Sequence, residues 1–444
     1  MAQLGQRQAF CRRRINELSS PTARIPPEIL IEIFQIACQP VDDDFRARQA
    51  TTPLFIGSIC RFWRDVAWST PFLWSTVFLH VSRKHHATQI QLLEDWLLNA
   101  KSAPLSIKIT SEDQLKFVLC AFEEIMRILF NRSDYWLTFN SCFLHSKFRN
   151  ILKKTNFPML TSISLRSSAA EMFLNAPKLV NVTLLGHSFP PILPWGQLRT
   201  FRTGKMPVNE CLKVLRKSPN LHECHFEGVY TQDGMISKTI LSHAQLKHLH
   251  TTLDDYWATS LFDGITLPSL SGLHIQYDHD HDKWLPLSSI TSLVLRSACN
   301  LERLTIKFRF NNVDLIPCLE VIPSLTYLHL EPTSGRGMGL NRYLVTSLDP
   351  LSNSSRLLLP NLKYFKFKGR ILCDFRVIVD MLAHRWHSSD DGGASQSVKV
   401  SKLEMAEILS IDPCHITADV QEELRNLLEE GMPVSIKSLV KDSK

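Results

Sequence analysis

The chain has 444 residues and is mildly basic, with 50 Lys and Arg against 43 Asp and Glu. Hydrophobic content of 44% and charged content of 21% exclude global disorder, and 16 glycines with 23 prolines exclude a collagen-like or low-complexity chain. No apolar run approaches the ~20 residues that cross a bilayer; with no secretory core among the first residues, the cytoplasm or nucleus is the expected compartment. The 11 cysteines are scattered without a C-x-x-C pair and read as reduced core thiols.

Residues 1–20 form a polar N-terminal extension, and residues 21–80 a small helical module. RIPPEILIEIFQIAC, residues 24–38, predicts a helix that opens on proline with Glu28 at its positive end. Ile29, Leu30, Ile33, Phe34 and Ala37 fall on one stripe. An acidic loop over 41–48 leads into TTPLFIGSICRFWRDVAWSTPFLW, where Ile56, Ile59, Cys60, Trp63 and Ala67 share helical spacing. Two short helices cannot bury that much apolar surface internally, so the module predicts a docking surface.

Residues 81–140 read as helix and strand units. Strands are predicted at Thr76–Val81, Leu105–Ile109 and Trp136–Phe139. Between them lie two amphipathic helices, one with Ile90, Leu93, Trp96, Leu97 and Ala100 inward, the other with Leu115, Val118, Leu119, Phe122, Ile125, Met126 and Leu129 inward.

From 141 to 444 a pattern apolar-x-x-apolar-x-apolar recurs. It reads Leu160/Ile163/Leu165, Leu179/Val182/Leu184, a degenerate Leu198/Phe201/Thr203, Leu221/Cys224/Phe226, Leu246/Leu249/Thr251 and Leu270/Leu273/Ile275. It continues through Ile290/Leu293/Leu295, Leu301/Leu304/Ile306, Leu325/Leu328/Leu330 and Leu362/Phe365/Phe367 to a weak Val400/Leu403/Met405. Pro158, Pro177, Pro219, Pro268, Pro323 and Pro360 each stand two residues before the first apolar position, as suits the start of a strand. Each copy predicts a short strand plus a return segment, stacked so that neighbours share one core. The 11-residue step between Ile290 and Leu301 is too short for two separate repeats. Gly- and Ser-rich stretches at 331–358 and 387–397 predict loops, and Thr417–Glu430 a capping helix.

In each predicted strand the residue between the last two apolar positions faces away from the core. That column reads Ser164, Thr183, Arg202, His225, His250, His274, Val294, Thr305, His329, Lys366 and Glu404; two residues earlier stand Glu223, His248, Arg303, Tyr327 and Tyr364. His225, His250 and His274 predict a stripe. With Tyr327, His329 and Lys366 they are the candidate target-binding residues, suited to an acidic or phosphorylated protein. Asp278-His279-Asp280-His281-Asp282 is metal-like in composition, but consecutive residues rarely surround one ion, so it reads as a solvated loop and no metal site is assigned. KYFKFKGR at 363–370 mixes bases and aromatics, yet alternation sends Phe365 and Phe367 inward, so no nucleic-acid site is read there. No nucleophile with its base, phosphate loop or carboxylate pair emerges. The chain therefore reads as a non-enzyme without catalytic residues or cofactors, with a metal-dependent hydrolase on the Asp/His run as a remote alternative.

IPPEIL followed by I-C-R-x-W-R and T-P-x-L-W resembles an F-box in the form common in large fungal families, and WLLNAKSAPLSIKI is similar to the segment that follows it there. The repeats are similar to leucine-rich repeats, except that the usual Asn or Cys is replaced. The implied fold class is α/β, a small helical F-box module followed by an irregular leucine-rich-repeat solenoid. The implied function is a substrate-recognition adaptor of a Skp–cullin–F-box ubiquitin ligase. Pro26, Pro27, Glu28, Ile29 and Ile33 would meet the Skp-type adaptor with Trp63 in support, cullin would join through that adaptor, and the repeats would hold the protein target. The alternative is an F-box-like scaffold outside any ligase.

Overall fold

A computed structural model describes residues 7, 10–11, 14–15, 21–38, 52–82, 85–111, 115–142, 148, 154–166, 173–186, 192–232, 240–277, 286–332, 339–352, 357–387, 400–413 and 416–438. It is mixed α/β, built on parallel strands, and divides into two units at Leu179 and Val180.

The first unit opens with three helices, α1 (Pro27–Cys38), α2 (Pro53–Ile59) and α3 (Arg61–Ser69). Thr52 caps α2 by accepting the Phe55 N–H at 3.3 Å. The single helical spacing expected through Ile56, Ile59, Cys60, Trp63 and Ala67 is interrupted. Cys60 is extended (φ −154°, ψ 169°), and its Sγ caps α3 by accepting from the Trp63 N–H. That break turns Ile59 and Cys60 to solvent while Ile56 and Ala67 stay buried. Three tryptophans seal the module: Trp74 meets Trp68 and Trp96 edge-on at 4.9 Å each, its Nε1 donates to the Ala67 carbonyl, and Trp96 Nε1 donates to the Trp74 carbonyl.

Four parallel strands follow: β1 (Thr76–His80), β2 (Leu105–Thr110), β3 (Trp136–Ser141) and β4 (Ser162–Leu165), in the order β1-β2-β3-β4. The helices expected between the first three are present as α4 (His86–Ala100) and α5 (Leu115–Phe130). Leu93, Leu97 and Ala100 of α4 are buried, as are Phe122, Ile125, Met126 and Leu129 of α5.

The second unit repeats the theme. Its sheet runs through β5 (Asn181–Leu184), β6 (Thr200–Thr203), β8 (Glu223–Tyr230), β10 (His248–Leu253), β12 (Gly272–Tyr277), β13 (Arg303–Lys307), β14 (Tyr327–Leu330), β15 (Tyr364–Gly369), β16 (Met405–Ser410) and β17 (Val434–Ser438), all parallel; β7 (Met206–Pro207) pairs only with β8. A separate small pair joins β9 (Leu241–Ser242) to β11 (Ile265–Thr266). Helices α6 (Val208–Lys217), α7 (Ser260–Asp263), α8 (Leu287–Ser297), α9 (Asn312–Glu320), α10 (Arg342–Leu348), α11 (Phe375–His387) and α12 (Ala418–Glu429) bury their apolar sides, and α7 to α12 pack each against the next.

A backbone rung defines the repeat better than its leucines do. Val180, Arg199, His222, Lys247, Ser271, Glu302, Thr326 and Lys363 each offer one carbonyl to two successive N–H groups at the start of the next strand. The six prolines sit in the turn before the strand. Leu160, Leu179, Leu221, Leu270, Leu325 and Leu362 each donate N–H to the carbonyl three residues back, with proline second in the turn, where its fixed φ belongs. Leu246 lacks that proline. Its N–H goes to His243 Nδ1 at 3.2 Å, which leaves Nε2 to donate to the Ser218 carbonyl at 2.8 Å.

Several expectations change. Ile290/Leu293/Leu295 is helical, within α8, and Leu295 is exposed. The weak copy at Val400 is framed three residues early: Phe365 pairs with Ala406 and Phe367 with Ile408, so the inward set is Leu403, Ala406 and Ile408. Glu404 thus lies at the strand start, and Glu407 takes its place in the outward column. The loop expected over 331–358 contains α10 and a bridge from Leu340 to Ile371. The C-terminal helix spans Ala418–Glu429 with Val420 and Leu427 buried, but β17 extends the sheet after it and Leu428 is exposed. Residues 278–282 and 388–397 lie outside the described residues. Among the described residues, no helix is long and apolar enough to cross a membrane.

Candidate functional site

Two surfaces gather the predicted site residues, one in each unit. In the first unit the stripe on α1 splits in two. Leu30 and Phe34 turn inward at 1% exposure, Phe34 meeting the Trp63 ring at 5.0 Å. Ile29 and Ile33 stay exposed at 46% and 44%, with Ile36 more open still. Pro26, Pro27 and Glu28 are exposed beside them, and Trp63 is half-buried. Its indole Nε1 is shielded from solvent and has no hydrogen-bond partner among the described residues. The inner half of α1 is satisfied by its own unit, while the outer half presents a row of bare isoleucines. Spacing could not separate these halves, because the inward and outward residues are neighbours along the same stripe.

In the second unit, register makes the predicted column real. Arg202 pairs with His225, His225 with His250, His250 with His274, His274 with Thr305, Thr305 with His329, His329 with Lys366, and Lys366 with Glu407. Adjacent strands put the histidine rings in contact: His225 lies 4.1 Å from His250 at 7°, and His250 lies 5.2 Å from His274 at 21°. Val294 has left the column with α8. His329 does not reach the open surface. Its ring is buried, and its Nε2 has no hydrogen bond among the described residues. Tyr327 belongs to the parallel column two residues earlier, between Arg303 and Tyr364, with the Arg303 guanidinium 4.7 Å above its ring.

Partial burial, reinforced by His225, holds the pKa of His250 down to about 4 from 6.5. Burial with His250 and Lys307 nearby does the same for His274, and burial with Lys307 for His329. His250, His274 and His329 are therefore neutral at pH 7. Glu223 accepts from His225 Nε2 at 2.7 Å, which keeps its carboxyl below the usual range.

The cations of this face mostly have partners that the linear sequence does not show. Arg202 Nε donates to Glu227 at 2.6 Å, and Lys205 meets Asp254 at 2.7 Å. Lys366 meets Glu407 at 2.6 Å, Lys368 meets Glu331 at 2.5 Å, and Arg370 meets Asp412 at 2.8 Å. The surface is polar and nearly charge-balanced. At the carboxyl ends of β5 to β12, a shallow depression of about 340 Å³ is lined by Gly204, Lys205, Gly228, Asp254 and Gln276 among others. Gly228, at φ +81°, lets the backbone turn there; a Cβ would stand 2.8 Å from Lys205 Cγ.

No family model and no curated protein matches the chain. Among solved structures, a crystal structure of a Bacteroides fragilis protein from a structural genomics programme is similar at a TM-score of 0.30 and 10% identity, over 75% of this chain and 86% of that one. At that level the likeness carries no argument.

Proposed function

We propose that the chain is a non-catalytic target receptor of a Skp–cullin–F-box ubiquitin ligase, with the helical module as an F-box and the second unit as an irregular leucine-rich-repeat solenoid. The observation that carries this reading is the pair Ile29 and Ile33, bare on a helix whose other side is packed. Covering an isoleucine side chain is worth about 1.5–3 kcal/mol, so a row of them is an energetic incentive for a partner. Pro26, Pro27 and Glu28 fix the start of that helix and would border the Skp-type adaptor. Trp63 supports the surface from beneath through Phe34.

The open face of the second unit, with His225, His250, His274, Tyr327 and Lys366, would hold a protein target. An acidic or phosphorylated segment would compete with Glu407 for Lys366 and with Glu227 for Arg202. The test is capture of a Skp-type adaptor by Ile29→Asp/Ile33→Asp. Binding should be lost while circular dichroism and melting stay as in the wild type. Undiminished capture overturns the reading, and adaptor capture by the wild type without cullin favours a scaffold outside a ligase.

A further inference from the structure

The geometry points to a divalent transition-metal site on the open face of the second unit, formed by Glu223, His225 and His250, and it does not depend on the adaptor reading above. Glu223 opens β8, His225 follows two residues later on the same side, and His250 is the register partner of His225 on β10. One carboxylate oxygen and one nitrogen from each imidazole all lie within 4.8 Å of one another. Ligand atoms at about 2.0–2.2 Å from zinc stand about 3.3 Å apart in a tetrahedron, and an imidazole binds in its own plane, so binding turns one of the stacked His225 and His250 rings about its side-chain bonds until the two planes meet at the ion. The strands themselves need not move, because the parallel ladder already holds both backbones.

The donor chemistry selects the ion. Two imidazoles and one carboxylate suit Zn²⁺ and its neighbours, whereas Mg²⁺ and Ca²⁺ require oxygen shells. His250 makes no hydrogen bond among the described residues, so its ring nitrogens are not committed. The competing bond is the 2.7 Å contact of His225 Nε2 with Glu223 Oε1, which an ion would replace with two stronger contacts. Arg202 flanks His225 on the other side, but its charge is engaged by Glu227. His248 is held apart, lying over Gly272, where a Cβ would stand 2.5 Å from its Nδ1. All three ligands are half-buried at the surface, so a fourth coordination position faces outward. Glu223 and His250 are 27 residues apart in the chain and adjacent only through strand pairing, so no short run of the sequence marks the set.

Full-length chain stripped with chelator is titrated with Zn²⁺ alone by calorimetry, and with Co²⁺ alone by visible absorption. The expected result is one equivalent bound with tetrahedral Co²⁺ bands, weakened at least about tenfold, or 1.4 kcal/mol, in Glu223→Gln and in His250→Gln. His279→Ala/His281→Ala should bind as the wild type does. No binding by the wild type overturns the proposal, as does binding that survives Glu223→Gln/His225→Ala/His250→Ala. Should a variant fail to fold, the wild type still decides by nuclear magnetic resonance. Zn²⁺ must shift the imidazole signals of His225 and His250 and leave those of His384 and His387 in place; the converse overturns the site.

Discussion

Lys366 on β15 and Glu407 on β16 face each other across a parallel strand pair, Nζ lying 2.6 Å from Oε2. The bond to Glu407 raises the Lys366 pKa. The two are 41 residues apart, and the linear pattern assigns Glu404 to that position instead. Glu404 in fact donates its N–H to the Lys363 carbonyl at the strand start, and its side chain takes the ammonium of Lys363. A double-mutant cycle on Lys366→Ala and Glu407→Ala should return a coupling of up to about 1 kcal/mol, shrinking with salt. The cycle of Lys366→Ala with Glu404→Ala should return none. Equal couplings, read from urea midpoints, would restore the earlier frame.

Arg385 is the fully buried cation of α11, and its charge serves carbonyl groups. Nε donates to Leu348 O at 2.6 Å, and the two terminal nitrogens to Leu359 O at 3.1 Å and Leu358 O at 2.7 Å. Leu359 has a positive φ of 54°, so the turn these bonds hold is not one its residue favours. Burial draws the guanidinium down to about 10, still charged at neutral pH. Arg385→Met should cost about 3–5 kcal/mol by stranding three carbonyls, and Arg385→Lys should recover only part of it. Thermal melting measures both, and a variant within 1 kcal/mol of the wild type, on the order of one ordinary hydrogen bond, would refute this role.

The histidine stripe sets a pH dependence of stability. Unfolded, His250 and His274 titrate near 6.5, while folded they resist protonation until about 4. His274 also faces Lys307, His329 and His225, which oppose its protonation. Below pH 6.5 the unfolded chain therefore binds more protons than the folded one, and stability rises with pH through that window. Full stability is present above 6.5 and is lost as pH falls toward 4. Melting temperature of chelator-treated protein should fall across pH 6.5 to 4, and His250→Gln/His274→Gln should flatten that slope. An identical slope in the variant would mean that other groups cause it.

Phe34 and Ile33 are adjacent on α1 with opposite duties. Phe34→Ala removes a ring at 1% exposure that meets Trp63, and should cost about 3–5 kcal/mol. Ile33→Asp, at 44% exposure, should leave the melt within about 0.5 kcal/mol of the wild type. Hydrogen exchange across residues 27–69 would report the difference: accelerated in the first variant, unchanged in the second.

Much of the fold was legible because its signals are local. A proline two positions before an apolar residue marks a turn, and alternation over four to six residues marks a strand. Such rules placed β4, β5, β8, β12, β14 and β15 correctly. They failed at Ile290 because a three-residue apolar step fits a helix face as well as a strand. Only the next step tells them apart, and Leu295 lies off the helical face. They failed at Cys60 because a side-chain cap can end one helix and start another without a break in apolar spacing.

The sequence by itself determined that inward and outward residues alternate, that turns precede the strands, and that more apolar side chains lie on α1 than one helix can bury. Only the tertiary structure decided which of them stay bare and which outward residues meet. Ile29 and Leu30 look alike in a stripe, yet one packs and the other does not. His225 finds His250, and Lys366 finds Glu407, because pairing between strands follows the length of each return segment, and those lengths vary from repeat to repeat. Contacts set by that variable distance are not encoded in any short window of the chain.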